Sequence, residues 1–154
     1  MWNHAIANSY LMQHEATATW NGSGLEGQGT VTVQSNAFKK VPFSFDSRFK
    51  NGNGTRPEEL LAAAHASDFT MKLSFVLADA GFMPENLSTT CIVNFERGQV
   101  ATSILIVKAA MPAIEESELN RCILEAMKTC PLSIALSNRI NIEAKLEKSS
   151  KQDK

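Results

Sequence analysis

Apolar and polar residues alternate along the first third of the chain, and this alternation predicts a small β-meander. The segment from His14 to Trp20 alternates small or aromatic residues with polar ones, the pattern of a half-buried strand. A turn-forming run, Asn-Gly-Ser-Gly, follows at 21–24. Further strands are predicted over 29–34 and 41–45.

The longest apolar segment predicts a central helix from Thr55 to Ala80. Thr55 and Glu58 have the spacing of a capping box. Pro57 falls in the first turn, where proline is tolerated, and Gly81 is a natural stop. The middle of the helix is apolar on most faces, which indicates burial on most sides. In a chain of 154 residues, we therefore predict that a second subunit covers one side of this helix.

The remaining sequence predicts a second β-unit with helices. The pattern gives strands over 87–96 and 100–110 with a hairpin turn between them, helices over 115–129 and 131–138, and a last strand over 139–147. Together these elements predict an α+β fold in a single domain over residues 14–147. An N-terminal segment, 1–13, precedes it, and a charged tail, 148–154, that we predict to be frayed follows it.

Charge and hydropathy exclude several classes of partner. Lys and Arg total 15 and Asp and Glu total 16, so the formal net charge is −1. The chain lacks the basic surplus that a nucleic-acid backbone attracts. No apolar run reaches the ~18 residues of a membrane span, and residues 1–10 do not have the pattern of a secretory signal. We therefore predict a cytoplasmic protein with no nucleic-acid partner and no membrane partner.

The cysteines and histidines argue against a disulfide scaffold and against zinc. The cysteines, Cys91, Cys122 and Cys130, are odd in number and form no C-x-x-C motif. The histidines have no ligand spacing with each other or with the cysteines. We predict neither a metal nor any other cofactor.

Charged residues form a stripe along the otherwise apolar central helix. Glu58, His65, Asp68 and Lys72 follow at spacings that place them on one helix face. Buried charges cost several kcal/mol, on the order of the penalty for unpaired ions, unless they are paired or wet. One interpretation is an i,i+4 ion pair between Asp68 and Lys72, with His65 satisfied by a hydrogen bond. The other is a polar pocket at a subunit interface.

Cys130 is the most prominent candidate for a reactive thiol. Pro131 suits the first position of a new helix, so Cys130 would lie near its N-cap, where backbone N–H groups and the helix dipole favour a thiolate. The alternative is a small core residue. Cys91 and Cys122 lie on apolar faces, and we interpret both as core residues.

Four short segments form a specific combination. They are Phe-Asp-Ser-Arg-Phe at 45–49, Gly-Thr-Arg-Pro-Glu-Glu-Leu at 54–60, Ala-Ala-His-Ala at 63–66 and Cys-Pro-Leu-Ser at 130–133. The combination resembles the family of osmotically inducible protein C and organic hydroperoxide resistance proteins (OsmC/Ohr), and it is closer to the OsmC branch. The resemblance extends over about residues 14–147, nearly the whole predicted domain.

The resemblance implies an OsmC-like fold in an intertwined homodimer with active sites at the subunit interface. It also implies a thiol peroxidase that reduces organic hydroperoxides. In that family an attacking cysteine becomes a sulfenic acid, and a second cysteine in the Cys-Pro motif resolves it as a disulfide. By this match Arg48 and Glu58 would hold the thiolate and the peroxide, and Cys130 would be the resolving cysteine.

The chain departs from the family pattern at the attacking position, where it has Asp68. A carboxylate can neither be oxidised by a peroxide nor form the disulfide, so we do not expect the two-cysteine cycle. One turn later Lys72 replaces the family's usual small residue and offers a charge that could neutralise the carboxylate. We predict one pocket that brings Asp68 and Cys130 together with the matched arginine and glutamate.

Three functions stay open at this point. The first is a non-canonical or inactive member: a dimeric binding or stress-associated protein whose charged interface pocket holds a small molecule. The second is a one-cysteine peroxidase that uses Cys130 on organic hydroperoxides, although a negative charge on Asp68 would disfavour a nearby thiolate. The third is acid–base chemistry by Asp68 and His65.

Overall fold

The computed structural model describes residues 11–111, 114–137 and, for the backbone, 141–147. The predictions for the N-terminal ten residues and for the tail from 148 lie outside the described residues. The chain divides into two compact units, one up to Leu60 and one from Leu61 onward. The prediction of a single domain over 14–147 stays a prediction. In the part of the chain that is described, no helix has both the length and the hydropathy to cross a membrane.

The first unit contains the predicted β-meander. Its strands are β1 (Ala16–Asn21), β2 (Gln28–Val33) and β3 (Val41–Ser44), antiparallel and in that order in the sheet. The meander is confirmed, but β1 is almost fully exposed in the single chain rather than half-buried. A short helix that the sequence did not predict, α1 (Phe45–Phe49), follows β3 directly.

Helix α2 (Pro57–Asp79) is the predicted central helix. It begins later than predicted, because the Arg56 carbonyl accepts the first helical bond from Leu60 N. Arg56 and not Thr55 is therefore the N-cap, and the predicted capping box is wrong. At the other end, Gly81 has φ +87° and closes a Schellman motif.

The single chain covers only one face of α2, and the prediction of burial on most faces, which includes a second subunit, stays a prediction. In the single chain its buried residues form one stripe, one helical turn apart: His65, Phe69, Leu73 and Leu77. Large apolar side chains on other faces remain accessible, with Met71 51% and Phe75 37% exposed. The homodimer that would cover them stays a prediction.

The second unit contains the later elements in the predicted order. Strands β4 (Asn86–Glu96) and β5 (Gln99–Ala110) are antiparallel, and the turn between them places Arg97 and Gly98 at positive φ, as in a type I′ hairpin. Strand β6 (Asn141–Glu147) pairs in parallel with β5, which requires a crossover connection. Helices α3 (Glu116–Thr129) and α4 (Pro131–Ser137) lie in that connection.

The core of the second unit joins α2, β5 and α3. Its fully buried members include Phe69, Leu105 and Cys122, so the interpretation of Cys122 as a core residue is confirmed. Cys91 on β4 is only partly buried, and its thiol contacts the Ser103 hydroxyl at 3.2 Å. Cys91 nevertheless packs against this core, in agreement with its interpretation as a core residue.

Candidate functional site

The centre of the candidate site is a contact between a thiol and a carboxylate. The Cys130 Sγ donates to Asp68 Oδ2 at 3.1 Å, and Leu132 N donates to the same oxygen at 2.9 Å. Asp68 comes from the middle of α2, while Cys130 lies at the junction of α3 and α4. The carboxylate therefore binds the start of α4 and the thiol beside it.

The junction itself explains why Cys130 is held in place. Its N–H donates to Ala126 O at 2.8 Å, the last turn of α3, and its carbonyl accepts from Ile134 N at 3.0 Å, the first turn of α4. Pro131 has no N–H and cannot continue α3. The backbone N–H and the carbonyl of Cys130 are thus both hydrogen-bonded, and its side chain is fully buried.

The surroundings of Cys130 keep its thiol protonated. Burial raises the pKa of the Cys130 thiol, and the charge and hydrogen bond of Asp68 raise this pKa further. Hydrogen bonds from the Ser133 hydroxyl and backbone lower the pKa without reversing the direction. The start of α4 does favour the thiolate, as predicted, but desolvation and the neighbouring carboxylate outweigh it, so the net shift favours the protonated thiol. The prediction that the negative charge of Asp68 disfavours a thiolate at Cys130 is confirmed.

His65 has a hydrogen-bond partner at each ring nitrogen. Nδ1 lies 2.8 Å from Ser103 Oγ, and Nε2 lies 2.9 Å from Ser133 Oγ. The ring is fully buried, and burial lowers the pKa of His65 while the charge of Asp68 partly offsets this. The imidazole is neutral and has a hydrogen-bond partner at both ring nitrogens, which confirms the interpretation of His65 as a histidine whose hydrogen-bonding groups are satisfied.

Sequence reasoning missed the serines that hold this imidazole. Ser103 follows Thr102 in the otherwise apolar middle of β5, and it is fully buried. Ser133 follows Cys130 by one helical turn, and only 2% of its surface is accessible. Buried hydroxyls require hydrogen-bond partners. A serine in a largely apolar strand was therefore the signal that Ser103 would bind another buried polar group.

The matched arginine and glutamate form an ion pair in the first unit. Arg48 Nη2 and Nε donate to Glu58 Oε1 at 2.6 and 3.1 Å. Burial tends to raise the pKa of Glu58, but hydrogen bonding and the charges of Arg48 and Arg56 outweigh it and hold the pKa below its ordinary value. The arginine also stacks over the Phe49 ring at 5.1 Å.

The structure thus brings the predicted site residues together in two groups. Arg48 and Glu58 pair in the first unit, whereas Asp68, Cys130 and His65 cluster in the second. Their convergence in one pocket, and the pairing of Lys72 with Asp68, stay predictions. Within the described residues, no group of His, Cys, Asp and Glu side chains has the arrangement of a metal site.

Comparison with known proteins gives the family. The model of the family described as "OsmC-like protein" matches residues 50–145. Peroxiredoxin OsmC of Escherichia coli K12 is 37% identical over 134 residues, which cover 84% of this chain and 94% of that protein. The same values hold for peroxiredoxin OsmC of Shigella flexneri.

Solved structures agree on the fold. The crystal structure of the OsmC-like protein from Mycoplasma pneumoniae has a TM-score of 0.73 at 13% identity, over 92% of this chain and all of that chain. The organic hydroperoxide resistance protein OhrB of Bacillus subtilis has a TM-score of 0.65 at 18% identity, over 86% and 98%. The α+β fold predicted from the sequence is confirmed, and the chain belongs to the family of OsmC-like proteins.

Proposed function

We propose that this protein is a non-canonical OsmC-like protein that does not run a two-cysteine peroxide cycle. It acts instead as a dimeric, stress-associated binding protein, and the polar cluster around Asp68 and Cys130 lines its pocket for a small molecule. The relatives named peroxiredoxin OsmC make an organic hydroperoxide, or a polar molecule of similar size, the first ligand to test.

The observation that carries this proposal is the 3.1 Å contact between Cys130 Sγ and Asp68 Oδ2. Asp68 occupies the position where the resemblance expects the attacking thiol. The thiol expected to resolve, that of Cys130, donates a hydrogen bond to its carboxylate. A sulfur that is fully buried, protonated and bound to an anion is a poor nucleophile, because the thiolate is the reactive form.

A one-cysteine peroxidase is the second candidate, and one observation favours it. The Ser133 hydroxyl and backbone act to lower the pKa of the Cys130 thiol, which favours its thiolate. Burial and the adjacent carboxylate act in the opposite direction. We therefore rank this activity below the binding function.

Turnover of cumene hydroperoxide with dithiothreitol as the reductant separates the two candidates. We expect the unmodified protein to consume peroxide at the rate of the reductant alone, and Asp68→Cys to consume it faster. We also expect mass spectrometry after peroxide treatment to find no intramolecular disulfide in the unmodified chain, since Cys122 lies in the core of α3 and Cys91 hydrogen-bonds to Ser103.

Cys130→Ser is the matched control, because it replaces only the sulfur at that position. Turnover by the unmodified protein that this variant abolishes would contradict the proposal and establish the one-cysteine peroxidase. A peroxide-induced bond between Cys130 and Cys91 or Cys122 would also contradict it. Binding is measured separately, as a peroxide-dependent rise in melting temperature in the absence of reductant.

A further inference from the structure

Three side chains in the second unit bring a thiol, an imidazole and a hydroxyl into contact. Cys91 Sγ lies 4.0 Å from His65 Nδ1, and Ser103 Oγ lies 3.2 Å from the sulfur and 2.8 Å from the same nitrogen. We call these three residues the thiol–imidazole cluster. His65 and Ser103 are fully buried, whereas Cys91 is only partly buried. The cluster therefore places a soft sulfur ligand beside an imidazole ligand, and neither ligand atom contacts Asp68 or Cys130.

The distance between the sulfur and the nitrogen suits a metal ion bound to both. Zinc binds a thiolate sulfur at about 2.3 Å and an imidazole nitrogen at about 2.0 Å. An ion of similar size that joins two atoms 4.0 Å apart has an S–metal–N angle much wider than the tetrahedral angle of a zinc site. Monovalent copper, which soft thiolate ligands select, accepts two strong ligands close to a straight line.

The number of ligands favours the same ion. Structural zinc sites have four protein ligands and catalytic ones have three. The described residues contain no group of three or more His, Cys, Asp and Glu side chains that could hold a metal, which argues against zinc. A pair of one cysteine and one histidine is sufficient for an ion of low coordination number, with the Ser103 oxygen to one side as a weak third contact.

The charges of the two ligands also favour a monovalent ion. A metal binds the thiolate, so the Cys91 proton leaves for solvent as the ion enters, and no atom changes its oxidation state. One thiolate, one neutral imidazole and one monovalent cation carry no net charge together. A divalent ion on the same two ligands would leave a net positive charge among fully buried side chains, which is costly.

The other ring nitrogen of His65 has the partner that a metal-bound imidazole needs. A metal-ligating histidine usually donates its second ring N–H to a nearby acceptor, which fixes the orientation of the ring. His65 Nε2 lies 2.9 Å from Ser133 Oγ, which can accept this N–H. Ser103 gives up its hydrogen bond to Nδ1 when the ion enters, but its hydroxyl remains beside the sulfur and can donate to the thiolate.

We propose that Cys91 Sγ and His65 Nδ1 form a binding site for monovalent copper, with Ser133 as the residue that orients the imidazole. The sequence predicted no metal because the argument rested on spacing along the chain. Cys91 and His65 lie 26 positions apart, and only the fold brings them together. The site is separate from the proposed function, which rests on Asp68 and Cys130.

Anaerobic titration with Cu(I), in competition with the colorimetric chelator ferrozine, tests the proposal. We expect the unmodified protein to take one equivalent of copper from the chelator and to show an ultraviolet thiolate-to-copper charge-transfer band. X-ray absorption should find one sulfur and at least one nitrogen ligand. Cys91→Ser should take no copper and show no band. An unmodified protein that competes no better than Cys91→Ser, or a spectrum with two sulfur ligands and no nitrogen, would overturn the proposal.

Ser133→Ala tests the imidazole ligand without removing it. Loss of a residue that orients a metal ligand typically weakens metal binding by about 10–100-fold, so we expect a loss of that size. His65→Gln should bind no copper, and circular dichroism checks that this variant is folded, because its site is fully buried. Unchanged affinity in Ser133→Ala, or copper binding by folded His65→Gln, would contradict the assignment of the histidine.

Cys122→Ala is the matched control, because it removes another thiol of the second unit that lies in the core outside the cluster. Its affinity for copper should equal that of the unmodified protein, and a loss of binding would contradict the assignment to Cys91. Zinc that displaces copper would contradict the choice of ion. No readout uses peroxide, so a peroxidase activity would refute the proposed function and leave the copper site standing. A protein that binds no copper would leave the proposed function standing.

Discussion

Replacing Asp68 by alanine should destabilise the second unit by an amount that its two hydrogen bonds predict. Asp68→Ala removes the carboxylate that, among the described residues, accepts from the Leu132 amide at 2.9 Å and from the Cys130 thiol at 3.1 Å. A hydrogen bond to a charged group contributes about 1.5–3 kcal/mol, and a weak thiol donor adds about 0.5–1 kcal/mol. We expect the free energy of unfolding to fall by about 2–4 kcal/mol.

Asp68→Asn should lower the free energy of unfolding by less than Asp68→Ala does. The amide keeps a carbonyl oxygen that can accept from Leu132 N but loses the charge. A neutral hydrogen bond contributes about 0.5–1.5 kcal/mol, so this variant should lose only about 1 kcal/mol. Asp79→Ala is the matched control, since it removes an exposed carboxylate from the end of the same helix and should change stability by no more than about 0.5 kcal/mol.

Urea unfolding followed by circular dichroism measures these differences, with every variant at the same chain concentration, because an oligomer's stability depends on concentration. For a chain of this length, each 1 kcal/mol corresponds to about 2–4 °C in melting temperature. Two results would refute the reasoning. One is an Asp68→Ala protein as stable as the unmodified chain, and the other is an Asn variant as unstable as the alanine variant.

Two further predictions follow from the burial of α2 and of its histidine. Because the folded pKa of His65 lies below its unfolded value of about 6.5, stability should be fully present above that pH and fall as the pH drops towards the folded pKa. Urea midpoints compared at pH 7.5 and about 5.5 should show a smaller loss in His65→Gln, and an equal loss would contradict the assignment. The accessible apolar face of α2 predicts a homodimer at micromolar concentration, which Phe75→Glu should weaken and the control Asn120→Glu, at an exposed polar position of α3, should not. Sedimentation velocity showing a stable, folded monomer of the unmodified protein would contradict it.

The local elements were predictable where the sequence carries a strong boundary. Arg97-Gly98 gave the β4–β5 hairpin, because glycine tolerates the positive φ that a two-residue turn requires. Pro131 gave the break between α3 and α4, because it lacks the N–H that would continue α3. By contrast, α1 was missed, since Phe45 continues an alternating strand pattern while the signal for the helix is the reciprocal capping of Ser44 and Ser47.

The sequence predicted some residues of the candidate site but not their contacts, because the contacting residues lie far apart along the chain. The family resemblance marked Asp68 and Cys130, and their contact joins residues 62 positions apart. The partners of His65 lie 38 and 68 positions away, and no periodicity relates a serine in a strand to a histidine in a helix. Only the packing of β5 and α4 against α2 creates these contacts, so their burial and the raised thiol pKa could not be derived from spacing.

The position of Asp68 predicts that peroxide chemistry and stability conflict at this residue. Asp68→Cys would introduce a thiol where the resemblance expects the attacking cysteine, with Lys72 one turn away to favour its thiolate. The same change removes the carboxylate that accepts from Leu132 N, and sulfur is a weak acceptor, so the variant should lose about 1–3 kcal/mol. Asp68→Asn, which loses the charge without gaining a sulfur, should stay inert towards cumene hydroperoxide. An Asp68→Cys protein that reacts with peroxide at undiminished stability would show that the carboxylate does not stabilise the start of α4. A folded Asp68→Cys protein that is as inert as the asparagine variant would contradict the assignment of this position to the attacking cysteine.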